Sequence, residues 1–108
     1  MSIRPSSLAL ILALTAGAVS AAMPATAELD DSAYTLGLCS RHTGRGPADA
    51  VLARFAAQNR QGREARAKTV QAFEQIYRRG QGDGGRVSME GSDCQRMTRA
   101  ILKKFGAG

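Results

Sequence analysis

SDCQRMTRAILKKF, Ser92 to Phe105, is the stretch from which the architecture can be read. Cys94, Met97, Thr98, Ile101, Leu102 and Phe105 recur at spacings of three and four, which aligns them on one face of an α-helix. Ser92 and Gln95 have the spacing of a capping box, the hydroxyl serving the Gln95 N–H and the carboxamide reaching back. Arg99, Lys103 and Lys104 load the last turns with positive charge, which the helix dipole favours. Gly106 supplies the stop. A start at Met89 capped by Ser88 is the alternative; otherwise Val87 and Met89 form a short apolar plug.

Three further helices are expected upstream. The first begins near LDDS, where Asp30 or Asp31 can accept from the first free backbone N–H groups, and runs through Ala33, Leu36 and Cys39 toward Gly44. The second has Pro47 at its first position, where a missing N–H costs nothing, and carries Ala48, Val51, Leu52, Phe55 and Ala56 on one face. The third runs from Arg63 to Arg79 with Val70, Phe73, Ile76 and Tyr77 on one side, and ends at Gly80. GQGDGG, Gly80 to Gly85, reads as a flexible connector. No segment alternates with period two, so the expected fold is all-α: a small bundle of about four short helices stapled by one disulfide.

The N-terminus bears on location. Arg4 precedes an apolar run from Leu8 to Val19, and small residues follow in SAAMPATA. That order is the pattern of a cleavable secretory signal peptide, here residues 1–27, with cleavage after Ala27 preferred and after Ala21 as the alternative. The run is shorter than the ~20 apolar residues needed to span a bilayer. Residues 28–108 are then a single small helical domain with no second apolar stretch, so no transmembrane segment is expected in the mature chain. Removing Arg4 with the leader leaves 14 Lys and Arg against 9 Asp and Glu, a net of +5. A core of this size is marginal by itself, which makes a covalent staple valuable.

Two cysteines in a small exported domain pair in an oxidising compartment, so Cys39 and Cys94 are expected to form a disulfide. Competing roles for Cys39 have less support. Zinc needs four ligands, and Cys39, His42 and Cys94 supply three, so no metal site and no cofactor are expected. CSRH is not the haem-attachment pattern, and LGLC has a large Leu38 where a lipidation signal wants a small residue. An enzyme using Cys39 and His42 would need a free thiolate, which pairing removes. His42 reads as a surface residue near a helix end, and the acids suggest no paired-carboxylate site. GQGDGGR lacks both the phosphate-loop and the calcium-loop patterns.

The basic residues carry the functional hint. Arg60, Arg63, Arg66 and Lys68 cluster at the start of the third helix, and Arg78, Arg79 and Arg86 at its end. Arg96, Arg99 and Lys103 form a stripe on the last helix. The candidate binding face is therefore Arg96, Arg99, Lys103, Arg60 and Arg63, a surface suited to polyanions or an acidic protein. Sequence-specific nucleic-acid binding is not expected, because Phe55, Phe73, Tyr77 and Phe105 sit on core stripes rather than among the arginines.

The plan of signal peptide, small helical domain and long-range disulfide resembles, in architecture alone, the periplasmic acid-stress chaperones and some small immunity proteins of secretion systems. No motif is shared residue by residue, so no site residue follows from it. The expected function is that of an exported, periplasmic accessory protein binding another envelope component, in a chaperone-like or protein-interaction role. A polyanion or anionic-membrane binder is the alternative, and an enzyme the least supported. Thiol titration of the exported protein under denaturing conditions is expected to find no free cysteine; one or two reactive thiols per chain would contradict the pairing.

Overall fold

Apolar positions spaced for one helical face do form helices, and the remaining question is where each begins and ends. A computed structural model describes residues 26–108, and among these the chain forms five α-helices and no strand. They are α1 Thr26–Leu38, α2 Ser40–Thr43, α3 Gly46–Gln58, α4 Arg63–Arg86 and α5 Gly91–Lys104. The fold is all-α, with four main helices and one disulfide, as the periodicity suggested. The leader assigned to residues 1–27 lies outside the described residues, apart from Thr26 and Ala27, which belong to α1.

Four helices share one core. Leu29, Ala33 and Leu36 come from α1, Ala48, Val51 and Phe55 from α3, Phe73 and Tyr77 from α4, and Ile101 from α5 with Phe105 just past its end. The Phe55 and Phe105 rings meet edge-tilted with centroids 6.4 Å apart, and Phe73 stacks on Tyr77 at 6.1 Å. Both spacings lie in the attractive range for aromatic pairs. Cys39 and Cys94 are fully buried and bonded, with Cα atoms 5.3 Å apart. Closing a loop across 55 residues stabilises the folded chain by about 4 kcal/mol in the chain-entropy account.

Two helices end alike. At the end of α3, Gln61 N–H donates to Ala56 O and Arg60 N–H to Ala57 O. At the end of α5, Ala107 N–H donates to Leu102 O and Gly106 N–H to Lys103 O. Each is a Schellman closure, which requires a left-handed residue after the cap. Gly106 meets that need at φ 71°, whereas at the end of α3 the position is held by Arg60 at φ 49°.

Several boundaries differ from the sequence reading. The chain is already helical at Thr26, the first described residue, so Asp30 and Asp31 lie within the helix instead of capping its start. It also breaks at Cys39, whose carbonyl turns to accept the N–H groups of His42 and Thr43; the resulting hook, α2, brings the sulfur to Cys94. The capping box at Ser92 and Gln95 does not form. Glu90 takes the N-cap position without a side-chain cap bond, so Ser92 already has helical backbone and its hydroxyl cannot serve Gln95.

The largest correction concerns Gly80 to Gly85. This is no connector: α4 continues through it to Arg86. The reason lies across the interface. A Cβ at Gly80 would stand closer than 3.0 Å to Tyr34 O and Leu38 N, and one at Gly84 would crowd Leu38 O at 2.5 Å. On the other side, a Cβ at Gly37 would run into Tyr77 O. Tyr34 opposes Gly80 and Leu38 opposes Gly84, so α1 and α4 run in the same direction with their backbones in contact. Glycine in a helix interior costs about 1 kcal/mol against alanine, and here that cost admits an approach no side chain would allow. Tyr34 Oη donates to Asp83 Oδ2 at 2.6 Å and closes the outer edge of the same contact.

Gly82 and Gly85 differ from their neighbours, since nothing lies within 4 Å of a Cβ built on either. Gly80→Ala is therefore expected to destabilise the protein by about 2–4 kcal/mol through backbone overlap. Gly82→Ala, two residues away, should stabilise it by about 0.5–1 kcal/mol. Urea unfolding of both variants checks this, and a shift of the same sign in each would refute the close-contact account.

Candidate functional site

α2 is a four-residue hook whose geometry places Cys39 and His42 differently from a catalytic pair. The Cys39 sulfur is bonded to Cys94 and fully buried. His42 is exposed and donates from Nε2 to Met89 O at 3.0 Å, clasping the segment that leads into α5. A Cβ at Gly91 would lie 3.3 Å from His42 Nδ1, so the ring also leans on the start of α5. Among the described residues no group of three or more His, Cys, Asp or Glu side chains is placed to hold a metal ion.

The five basic residues singled out from sequence fall on two separate surfaces. On α5, Arg96 donates to Asp93 Oδ1 at 2.7 Å, one turn earlier, so part of its charge is met locally. Arg99 and Lys103 are exposed and line an open groove of about 400 Å³ with Leu102, Gly106 and Gly108. Arg54 joins them from α3: a Cβ at Gly106 would lie 3.6 Å from its Nη2. Arg54 was not singled out in the sequence, and its position beside Phe55 is what carries it there, since Phe55 packs on Phe105. The Gln58 carboxamide fastens the same junction by donating to Phe105 O at 3.0 Å.

The second surface lies at the turn from α3 into α4. Arg63 and Arg66 line a groove of about 710 Å³ with Gln61, Ala67, Val70 and Gln71. Arg60 stands in the turn itself. Gln61 Nε2 donates to Thr69 Oγ1 at 2.8 Å, which ties the turn to the second turn of α4. No residue lines both grooves.

One electrostatic centre escaped the sequence reading. Arg45, between α2 and α3, donates from Nε to Asp49 at 2.9 Å, from Nη1 to Glu74 Oε2 at 3.0 Å, and from Nη2 to Glu74 Oε1. Its guanidinium also lies 4.7 Å from the centre of the Tyr77 ring. The Glu74 carboxylate, and then that of Asp49, hold the Arg45 pKa above its already high ordinary value, so the group is charged at any attainable pH. Only the Arg45–Asp49 spacing of four was visible in sequence; Glu74 is 29 residues away. Arg86 and Asp83 form a further ion pair one turn apart on α4.

Comparison with known protein families, with curated proteins and with solved structures gives no match for this chain.

The Tyr34–Asp83 bond has a pH signature. The tyrosine hydroxyl, and then Arg86, hold the Asp83 carboxyl below its ordinary value, while the same carboxylate raises the Tyr34 phenol above its own. A lowered carboxyl pKa contributes stability that is present above the unfolded value and lost as pH falls through the folded one. A raised phenol pKa contributes stability below about pH 10 that is lost as pH rises further. Tyr34→Phe should therefore be less stable than the parent at neutral pH, and the gap should narrow on acidification below the carboxylate range. A gap constant from pH 7 to pH 2 in thermal melts would show that the bond is not its source.

Proposed function

We propose that this protein is an exported, non-enzymatic helical binding module that docks on an acidic region of another envelope component. The observation that carries the reading is the state of its basic side chains. The four ion pairs among the described residues use only Arg45, Arg86 and Arg96. The other eleven of the fourteen Lys and Arg side chains in residues 26–108 have no carboxylate within 4.0 Å, and all of them are exposed. So many unpaired cations on a stapled scaffold favour association with negative charge. The buried disulfide is consistent with folding in an oxidising compartment such as the periplasm, and the leader expected at residues 1–27 supports export.

A second reading, binding to an anionic lipid surface, has its own support in the α5 groove, where Arg99 and Lys103 line the wall with Leu102 and Arg54 stands by Gly106. Nucleic acid is less favoured by both surfaces. Phe55, Phe73, Tyr77 and Phe105 are all at most 3% exposed, so they offer no platform on which bases could stack.

The test combines location and salt dependence. A fusion of residues 1–27 to a reporter active only outside the cytoplasm should be active, with the mature chain starting at Glu28. Binding of the purified protein to an immobilised acidic protein should weaken more than tenfold between 50 and 200 mM salt, as expected when several ion contacts form. Salt-independent binding, or none to any anionic matrix, would overturn the electrostatic reading. An inactive reporter would overturn export.

A further inference from the structure

α4 is longer than its core requires. From Arg63 to Ala72 none of its residues is buried, and the first buried side chain is Phe73. Nearly three turns of helix thus project past the shared core, held at their root by the Gln61–Thr69 bond. This projecting segment and the turn before it carry Arg60, Arg63, Arg66 and Lys68 against one acid, Glu64, and none of the four cations has an ion-pair partner. The groove there is not purely polar: Ala67 and the half-buried Val70 continue it as an apolar strip on the C-terminal side of Arg63 and Arg66.

Arg60 supplies an independent observation. It occupies the left-handed position of a Schellman closure, where Gly106 stands in the equivalent closure of α5. A side chain at φ 49° costs free energy that glycine would avoid. Non-glycine residues kept in such positions concentrate where the side chain has a task.

We infer that the groove lined by Arg63, Arg66, Ala67 and Val70, with Arg60 in the turn that leads into it, is the docking site for an extended acidic peptide segment of the partner protein. Carboxylates on the peptide pair with the guanidiniums, which are suited to two parallel hydrogen bonds. A small apolar side chain next to the carboxylates rests on Ala67 and Val70. From Arg63 to Val70 the helix rises about 10 Å, which matches roughly three or four extended residues. The mixed lining favours such a segment over a bare polyanion, whose uniform charge would leave the apolar strip uncovered. This inference rests on the reading of the protein as a binder of an acidic partner and assigns that contact to one surface.

The test uses the purified protein and fluorescein-labelled hexapeptides, read by anisotropy. The first probe is Glu-Asp-Val-Val-Asp-Glu, and the second replaces the two valines by glycines at equal charge. Arg63→Ala with Arg66→Ala, both on exposed helix and checked for folding by circular dichroism, should weaken binding of the valine peptide at least tenfold. Arg79→Ala with Lys104→Ala removes the same charge elsewhere and should change it less than twofold. Arg60→Gly should raise Tm by about 4 °C or more yet weaken the valine peptide severalfold. The glycine peptide and inorganic phosphate should bind at least fivefold more weakly than the valine peptide.

Equal loss from the two double variants would show diffuse charge and overturn the groove assignment. So would equal affinity for the valine and glycine peptides. Stronger binding to phosphatidylglycerol vesicles, lost in Arg63→Ala with Arg66→Ala, would assign the groove to a membrane instead and overturn the peptide reading. If Arg60→Gly raises Tm and leaves binding intact, Arg60 has no part in the site. Peptide binding that persists in Arg63→Ala with Arg66→Ala would refute this site while leaving an acidic partner in place; failure of every acidic probe would refute both.

Discussion

Between Gly37 on α1 and Gly80 and Gly84 on α4, two helical backbones meet with no side chain between them. Dispersion and weak Cα–H···O contacts act at such short range, each small but repeated over several turns. The approach constrains everything around it. Because α1 and α4 run in the same direction, the chain must return from the end of one to the start of the other, and α2 with α3 make that return. Arg45 stands within the return and grips Glu74 and Tyr77 on α4, so the crossover is fastened to the helix it precedes.

The second half of the molecule is held by different forces. α5 is not part of the glycine contact; it joins through the Phe55–Phe105 pair at one end and the Cys39–Cys94 bond at the other. The disulfide begins at the residue where α1 breaks, directly beside the tight contact. One covalent bond thus anchors the last helix to the most closely packed part of the fold. His42 adds a hydrogen bond to Met89 and settles the start of α5 without a side-chain cap.

Charge is distributed in a complementary way. The acids with partners serve structure: Glu74 and Asp49 on Arg45, Asp83 on Tyr34 and Arg86, Asp93 on Arg96. Most of the basic residues have no such duty; among them, Arg63 and Arg66 line one groove and Arg99 and Lys103 another. The contrast between Arg60 and Gly106 carries the same message at one backbone position. Two helices use the same closure, and one carries a costly side chain where glycine would serve.

Helix type and core faces were legible in the residue order, because a three-and-four spacing of apolar side chains is a local property of the chain. Val51, Phe55, Phe73, Tyr77, Ile101 and Phe105 all lie where their spacing placed them. The Cys39–Cys94 pair followed from the cysteine count and the expectation of an exported chain. The candidate basic residues were legible as types, but their division into two surfaces was not, since spacing along a helix says nothing about which groove its neighbours build. The glycine tract shows why most plainly. A glycine-rich hexapeptide is ordinarily a hinge, because glycine loses the most entropy on becoming ordered. Here Gly80 and Gly84 are helical because Tyr34, Gly37 and Leu38, more than 40 residues earlier, press against them. Whether a missing side chain means freedom or contact depends on what stands opposite it, and only the packing of distant segments supplies that.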